Sequence, residues 1–233
     1  MNDHPDLFAS FATSVLPDGL DEEVARCLQA LGRQTALADQ AQVEGVPGDD
    51  TLVFLARGAA KLVAHASHER EQVVAFHFAG DLLTLPSRGA HSYSLEALGR
   101  CELLSFGYAE FLRCAGAEVQ VLRQLLERSG ISLRRSREKA LTLGRKSAVE
   151  RIASFLLSMA ERIGTPTDCG TALVLPMSRR DIADSLGLTI ETVSRQFTLL
   201  REQGVIATQG RSGVLLRSLD ALELRSGQVG HAA

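Results

Sequence analysis

Leu20, Val24, Leu28 and Leu31 recur at helical spacing between about Asp18 and Ala38, which predicts a short amphipathic helix near the start of the chain. The period then changes. Short β-rich runs follow, TLVFLAR (51–57), AAKLVAH (59–65), QVVAFHF (72–78), SYSLEAL (92–98) and CELLSF (101–106), punctuated by Gly45, Gly48, Gly58, Gly80, Gly89 and Gly99. That regular punctuation predicts a jelly roll or β-roll. From about Ala117 to Leu143 the pattern is helical again. Val119, Leu122, Leu126, Ser129, Leu133, Ser136, Ala140 and Leu143 step by alternating three and four residues, and six of these eight are apolar. A helix of about 40 Å results, with a seam on one side. Packing against the protein's own roll would explain part of it, but so long a stripe exceeds what one small roll covers. A symmetric dimer seam with Val119, Leu122, Leu126, Leu133 and Ala140 at its centre is the expectation, although Gly130 and the two serines interrupt the pattern. Gly144 is expected to end this helix.

SAVERIASFLLSMAERIG (147–164) predicts the next helix, with Val149, Ile152, Phe155, Leu156 and Ile163 on its buried side and Gly164 closing it. TPTDCGTALVLP (165–176) reads as a linker. In the segment after it, Ser178 is a candidate N-cap with Asp181 in the capping-box position, Ile182, Ala183 and Leu186 form an apolar edge, and Gly187 stops the helix after two turns. Thr189 then caps a second helix. Its Ile190, Val193, Phe197 and Leu200 fall within about 80° of one another and form its core side. Glu191, Arg195 and Thr198 line the opposite side, with Ser194 on the flank. Helix, glycine turn, helix is the helix-turn-helix arrangement, whose second helix enters the major groove of double-stranded DNA. VIATQGRSGVLLR (205–217) adds two short strands around a turn, a wing.

Charge agrees with that reading. Residues 1–129 hold 10 Lys/Arg against 18 Asp/Glu, while 130–217 hold 14 against 8, so an acidic body carries a basic end suited to a polyanion. Arg179 and Arg180, in the first turn of a helix, oppose its dipole unless an external anion compensates. Ser178, Arg179, Arg180, Thr189, Thr192, Thr198 and Arg211 are the expected phosphate contacts. A glutamate at the head of a groove-reading helix is costly beside phosphates, and its compensation is the exocyclic amine of cytosine, which only an acceptor reads. Arg195, one turn on, donates to guanine and is expected to pair with Glu191, so Glu191, Ser194 and Arg195 are the expected base readers. An exposed ion pair without further role is the plainer alternative, and the basic and winged surroundings count against it.

No apolar run approaches the roughly 18 to 20 residues that span a bilayer, and MNDHPDLFASFATS carries acids where a secretion signal carries bases, so a cytosolic protein is expected, with no membrane partner. Cys27, Cys101, Cys114 and Cys169 lack the close spacing of zinc or iron-sulfur sites and are expected to be free thiols.

RRDIADSLGLTIETVSRQFTLLREQGVI (179–206), together with LGRKSAVERIASFLL (143–157), resembles the FNR and FixK branch of the CRP/FNR transcription regulators, and LTLGRKSAVERIASFLL points to its FixK-like members. The resemblance covers nearly the whole chain. It implies an α+β fold: an N-terminal β-roll of the cyclic-nucleotide-binding type with a leading helix (1–116), a long dimerisation helix (117–143) and a C-terminal winged helix-turn-helix (144–233). It further implies a homodimer on an inverted repeat similar to TTGAT-N4-ATCAA, with Glu191 and Arg195 on its G·C pair, Ser194 near a thymine, and RNA polymerase as the partner in activation.

The chain departs from the family's sensing motifs. Cys27 is the only cysteine before Cys101, too few for a four-cysteine [4Fe-4S] site. Gly80-Asp81 is similar to the Gly-Glu turn of cyclic-nucleotide binders, but AHSYSLEAL offers no arginine for the phosphate, and Arg88 is followed by Gly89 rather than Ser or Thr. The expectation is a regulator with no cofactor, neither cyclic nucleotide nor cluster. Two alternatives stand beside it: a haem-based gas sensor using His65, His68, His77 or His91, and a cupin-type metalloenzyme drawing on several of those histidines.

Overall fold

The computed structural model describes residues 6–45, 48–66, 70–87, 89–116 and 118–227. The chain divides into two compact units, residues up to Leu133 and from Arg134 onward.

Two helices open the first unit, α1 (Leu7–Val15) and α2 (Glu22–Leu31), capped by the side chains of Asp6 and Asp21. The helix expected from about Asp18 to Ala38 is therefore shorter. Gly32 follows its last turn, and Arg33–Leu37 is a strand, β1, whose alternation was hidden within the helical pattern. Seven more strands follow: β2 (Gln42–Glu44), β3 (Thr51–Arg57), β4 (Ala59–Ala66), β5 (Arg70–Phe78), β6 (Leu82–Leu85), β7 (Ser92–Ala97) and β8 (Cys101–Gly107). They form two antiparallel four-stranded sheets, ordered β1-β8-β3-β6 and β2-β7-β4-β5. Side chains from both sheets meet in one core that includes Leu37, Val53, Leu55, Leu85, Leu95 and Leu103, the interior of a β-roll. Gly58, in the turn between β3 and β4, has φ +83°, and a Cβ there would come within 2.4 Å of the Arg100 carbonyl oxygen. Only glycine fits that corner.

The first sheet is covered on its other face as well. Leu52, Phe54, Leu104 and Phe106 pack against Phe8, Phe11 and Val15 of α1, Leu28 of α2, and Phe111 of α3 (Tyr108–Ala115). Thr51 to Leu55 are all buried for this reason, since both faces of the strand meet apolar neighbours. The expectation of four free thiols is corrected here. Cys27 on α2 and Cys114 on α3 form a disulfide, their Cα atoms 6.2 Å apart, because those two helices pack side by side. Cys101 is free and buried, and Cys169 is free and exposed.

The long helix, α4, runs from Val119 to Arg145, so Gly144 lies within it and does not end it. Within the first unit Val121 is buried in the helix-lined core, Leu125 packs at its edge, and the Arg128 guanidinium donates to the carbonyl of Gly80 at 3.3 Å and to that of Ser14. The positions expected as a seam are elsewhere on the helix. Val119 (73%), Leu126 (74%) and Leu133 (51%) are exposed, as is Ala140, while Leu122 is half-buried.

The second unit contains the end of α4, then α5 (Ala148–Ile163), with a complete capping box between Ser147 and Glu150. Ile152, Phe155 and Leu156 are buried as expected. The stretch read as a linker is a hairpin instead, β9 (Thr165–Thr167) and β10 (Gly170–Val174), and it joins β11 (Ile206–Gln209) and β12 (Gly213–Leu216) in a sheet ordered β11-β12-β10-β9. Between the hairpin and β11 lie α6 (Arg179–Leu186) and α7 (Ile190–Glu202), and α8 (Leu219–Ser226) follows β12.

Candidate nucleic-acid interface

Local signals fix the two helices that present the site. Ser178 and Asp181 cap α6 reciprocally: the Asp181 carboxylate accepts from the Ser178 backbone N–H at 2.8 Å and from its hydroxyl at 2.6 Å, and the Ser178 hydroxyl accepts from the Asp181 N–H at 3.2 Å. A shorter aspartate thus completes the box a glutamate usually makes. At the other end Gly187, φ +60°, ends α6 in the left-handed conformation. Thr189 then starts α7, its hydroxyl accepting from the Thr192 N–H at 3.2 Å.

Val193, Phe197 and Leu200 are buried and Ile190 is half-buried, so α7 packs on the side its pattern dictates. Glu191, Ser194 and Arg195 are exposed together on the opposite side, with Thr198 half-buried beside them. One element of the expectation is not met. Among the described residues no ion pair joins Glu191 to Arg195. The Glu191 carboxylate is held instead by its own backbone N–H and by the Thr189 hydroxyl, which keep it below the usual glutamate range. Sited in the first turn of α7, it satisfies an end-of-helix donor in the free protein, and Arg195 stays exposed.

Alongside the exposed stripe lies a cleft of about 450 Å³ between the start of α6, α7 and the β11–β12 turn. Ser178, Arg179, Ser194, Thr198 and Arg211 line it, so it gathers most of the expected phosphate contacts. Arg180 and Thr189 are exposed outside it, and Thr192 is half-buried, its hydroxyl 3.1 Å from that of Thr189. Arg201, which was not singled out from sequence, completes the cleft from the last turn of α7. Its spacing from Ser194, seven residues on, was the available signal.

Two further basic residues, both half-buried, left no motif. The Arg151 guanidinium donates to the carbonyls of Leu143, Lys146 and Leu186, at 2.8, 2.9 and 2.8 Å, stitching the end of α4 to the end of α6. Lys139 donates to the Ser185 hydroxyl at 2.9 Å, and burial pushes its pKa down to about 8.

The histidines of the alternative readings are dispersed. His65 Nε2 lies 2.8 Å from the Ser94 hydroxyl and its Nδ1 3.3 Å from Glu71, His77 Nδ1 lies 3.4 Å from Asp81, and His91 is exposed. His68 and Arg88 fall outside the described residues. Among the described residues no group of three His, Cys, Asp or Glu converges on a metal-sized site, and no helix is long and apolar enough to cross a membrane.

Residues 150–225 match the Crp-like helix-turn-helix domain. The chain is 36% identical over 196 residues to the nitrogen fixation regulation protein FixK of Bradyrhizobium diazoefficiens, covering 84% of this chain and 83% of that one. It is 30% identical over 215 residues to the transcriptional activator protein anr of Pseudomonas aeruginosa, covering 91% and 85%. The solved structure of FixK2 from Bradyrhizobium japonicum is similar in fold, with a TM-score of 0.75 at 32% identity over 85% of this chain and 99% of that one. These relatives are transcription regulators, which sets the metalloenzyme reading aside. β-roll, long helix, winged helix-turn-helix and relatives agree: the chain belongs to the CRP/FNR family of DNA-binding transcription regulators, on its FixK-like branch, and is not an enzyme.

Proposed function

We propose that this regulator binds, as a homodimer, an inverted repeat similar to TTGAT-N4-ATCAA and activates transcription in the cytosol through RNA polymerase, with no cyclic nucleotide, iron-sulfur cluster or haem. Residues 1–116 then serve as a sensor-like roll, 117–143 as the dimerisation helix and 144–233 as the DNA-binding domain. The observation that carries the reading is the exposed stripe of Glu191, Ser194 and Arg195 beside an arginine-lined cleft. An acceptor and a donor one turn apart match the cytosine amine and the guanine O6 and N7 of one G·C step. In the free protein Glu191 rests on its own helix end, so DNA binding exchanges that contact for the cytosine amine.

Glu191→Ala tests this. It removes the cytosine acceptor and also a negative charge from a phosphate-walled groove. Affinity for random DNA should hold or rise slightly, while discrimination against a palindrome with that pair inverted should fall by about 1 to 3 kcal/mol. Equal weakening on every sequence would make Glu191 a structural residue of α7 and sink the reading.

One observation favours a second reading. The Nε2 of His77 is buried and has no hydrogen-bond partner among the described residues, as the axial ligand of a haem-binding member would require. A Soret band in the purified protein, lost in His77→Ala, would establish it.

A further inference from the structure

The Arg179 guanidinium sits over the ring of a core residue, its Cζ 3.3 Å from the centroid of Phe197. Phe197 is only 4% exposed, so the ring is fixed by packing and cannot follow a moving partner. Arg179 is itself half-buried, and among the described residues no carboxylate pairs with it. Burial draws its pKa below the ordinary arginine range. A cation stacked on an aromatic face, partly stripped of water and without a counter-ion, leaves its outer edge of N–H donors for an anion. The cleft in front of it also holds Ser178, Arg201 and Arg211. Ser194, Phe197, Thr198 and Arg201 follow one another at i, i+3, i+4 and i+7 along α7, so the cleft borders the stripe that faces the bases.

We propose that Phe197 is a positioning residue for DNA binding: its ring holds the Arg179 guanidinium in place so that the cleft between α6, α7 and the wing seats one backbone phosphate. This rests on the reading of Arg179 as a phosphate contact. A flexible arginine must lose rotamer freedom when it grips a phosphate, and one already stacked on a rigid ring has lost part of it beforehand. The ring acts through Arg179 and touches no base, so it contributes affinity and no sequence preference.

The test is a double-mutant cycle on the full chain, with binding measured on the palindrome and on a scrambled duplex at several salt concentrations. Arg179→Ala should weaken both duplexes alike and lower the salt slope by about one. Phe197→Leu, which keeps an apolar side chain in the core, should weaken both by about three- to tenfold, with the ratio between the duplexes unchanged. In the double variant, the Leu change should cost nothing beyond the Ala change. Arg179→Lys leaves the core untouched, so it serves even if Phe197→Leu folds poorly. It keeps the charge, loses the planar stack, and should bind nearly as weakly as Arg179→Ala. If Arg179→Lys binds like the wild type, or the two substitutions add, Phe197 is a core residue only and the proposal is overturned while Arg179 remains a phosphate contact. If Arg179→Ala leaves both affinities and the salt slope unchanged, the phosphate reading and the proposal fail together.

Discussion

Lys139 illustrates what a single half-buried side chain does to this protein. Its ammonium donates to Ser185 in an environment that pushes its pKa down to about 8 from 10.5, so the folded state holds the charge at a cost. Between those two values the unfolded chain binds more protons than the native one, and stability rises with pH across that window. Below about pH 8 both states are charged and the cost is constant. Relative to Lys139→Met, the wild type should therefore gain up to about 3 kcal/mol of unfolding free energy between pH 8 and 10.5, read by denaturant melts of both proteins. A difference that stays flat with pH would show that Lys139 is not desolvated in the folded state. The links that Arg151 and Lys139 make to α6 were invisible in the sequence, because the Leu186 carbonyl and the Ser185 hydroxyl lie 35 and 46 residues away along the chain. Ser178, Asp181, Gly187 and Thr189 were legible because caps and turns are satisfied within three or four residues.

At the scale of elements, α4 carries two stripes, one packed against the first unit and one exposed. Val121, Leu125 and Arg128 fall within about 60° of helix surface and face the first unit, whereas Val119, Leu122, Leu126, Leu133 and Ala140 fall within another 60°, centred about 120° away. The heptad pattern made the second stripe readable, and the first was lost in a mixture of apolar and charged residues. Leu126→Glu with Leu133→Glu should convert a dimer to a monomer in sedimentation, since like charges would face each other across a two-fold interface, and palindrome binding should fall with it. A variant still dimeric at micromolar concentration would place the seam elsewhere. The strands with unbroken apolar runs were legible almost to the residue, as β3 shows. Short helices and strands were not: α1, α3, β2, β6 and β9 are too brief for periodicity to declare them. The Cys27–Cys114 pair was hidden for a related reason, since its members lie 87 residues apart and only the packing of α2 on α3 brings them together.

For the whole molecule, the sensing question reduces to whether anything must be added before the protein binds DNA. Purified without metal or nucleotide and handled in air, it should bind its palindrome at full strength, because the cysteines and arginine that a cluster or a cyclic phosphate would need are missing from the sequence. Strict dependence on cyclic AMP, or binding lost in air and restored with iron and sulfide, would overturn that. The outward placement of the exposed stripe on α7 has a consequence for descent. Glu191, Ser194 and Arg195 are exposed, on the side of α7 opposite Val193, Phe197 and Leu200, so exchanging them costs the fold little. If those three residues read the operator as proposed, duplicated copies of such a gene can drift to new operator sequences by a few surface changes, each intermediate still folded.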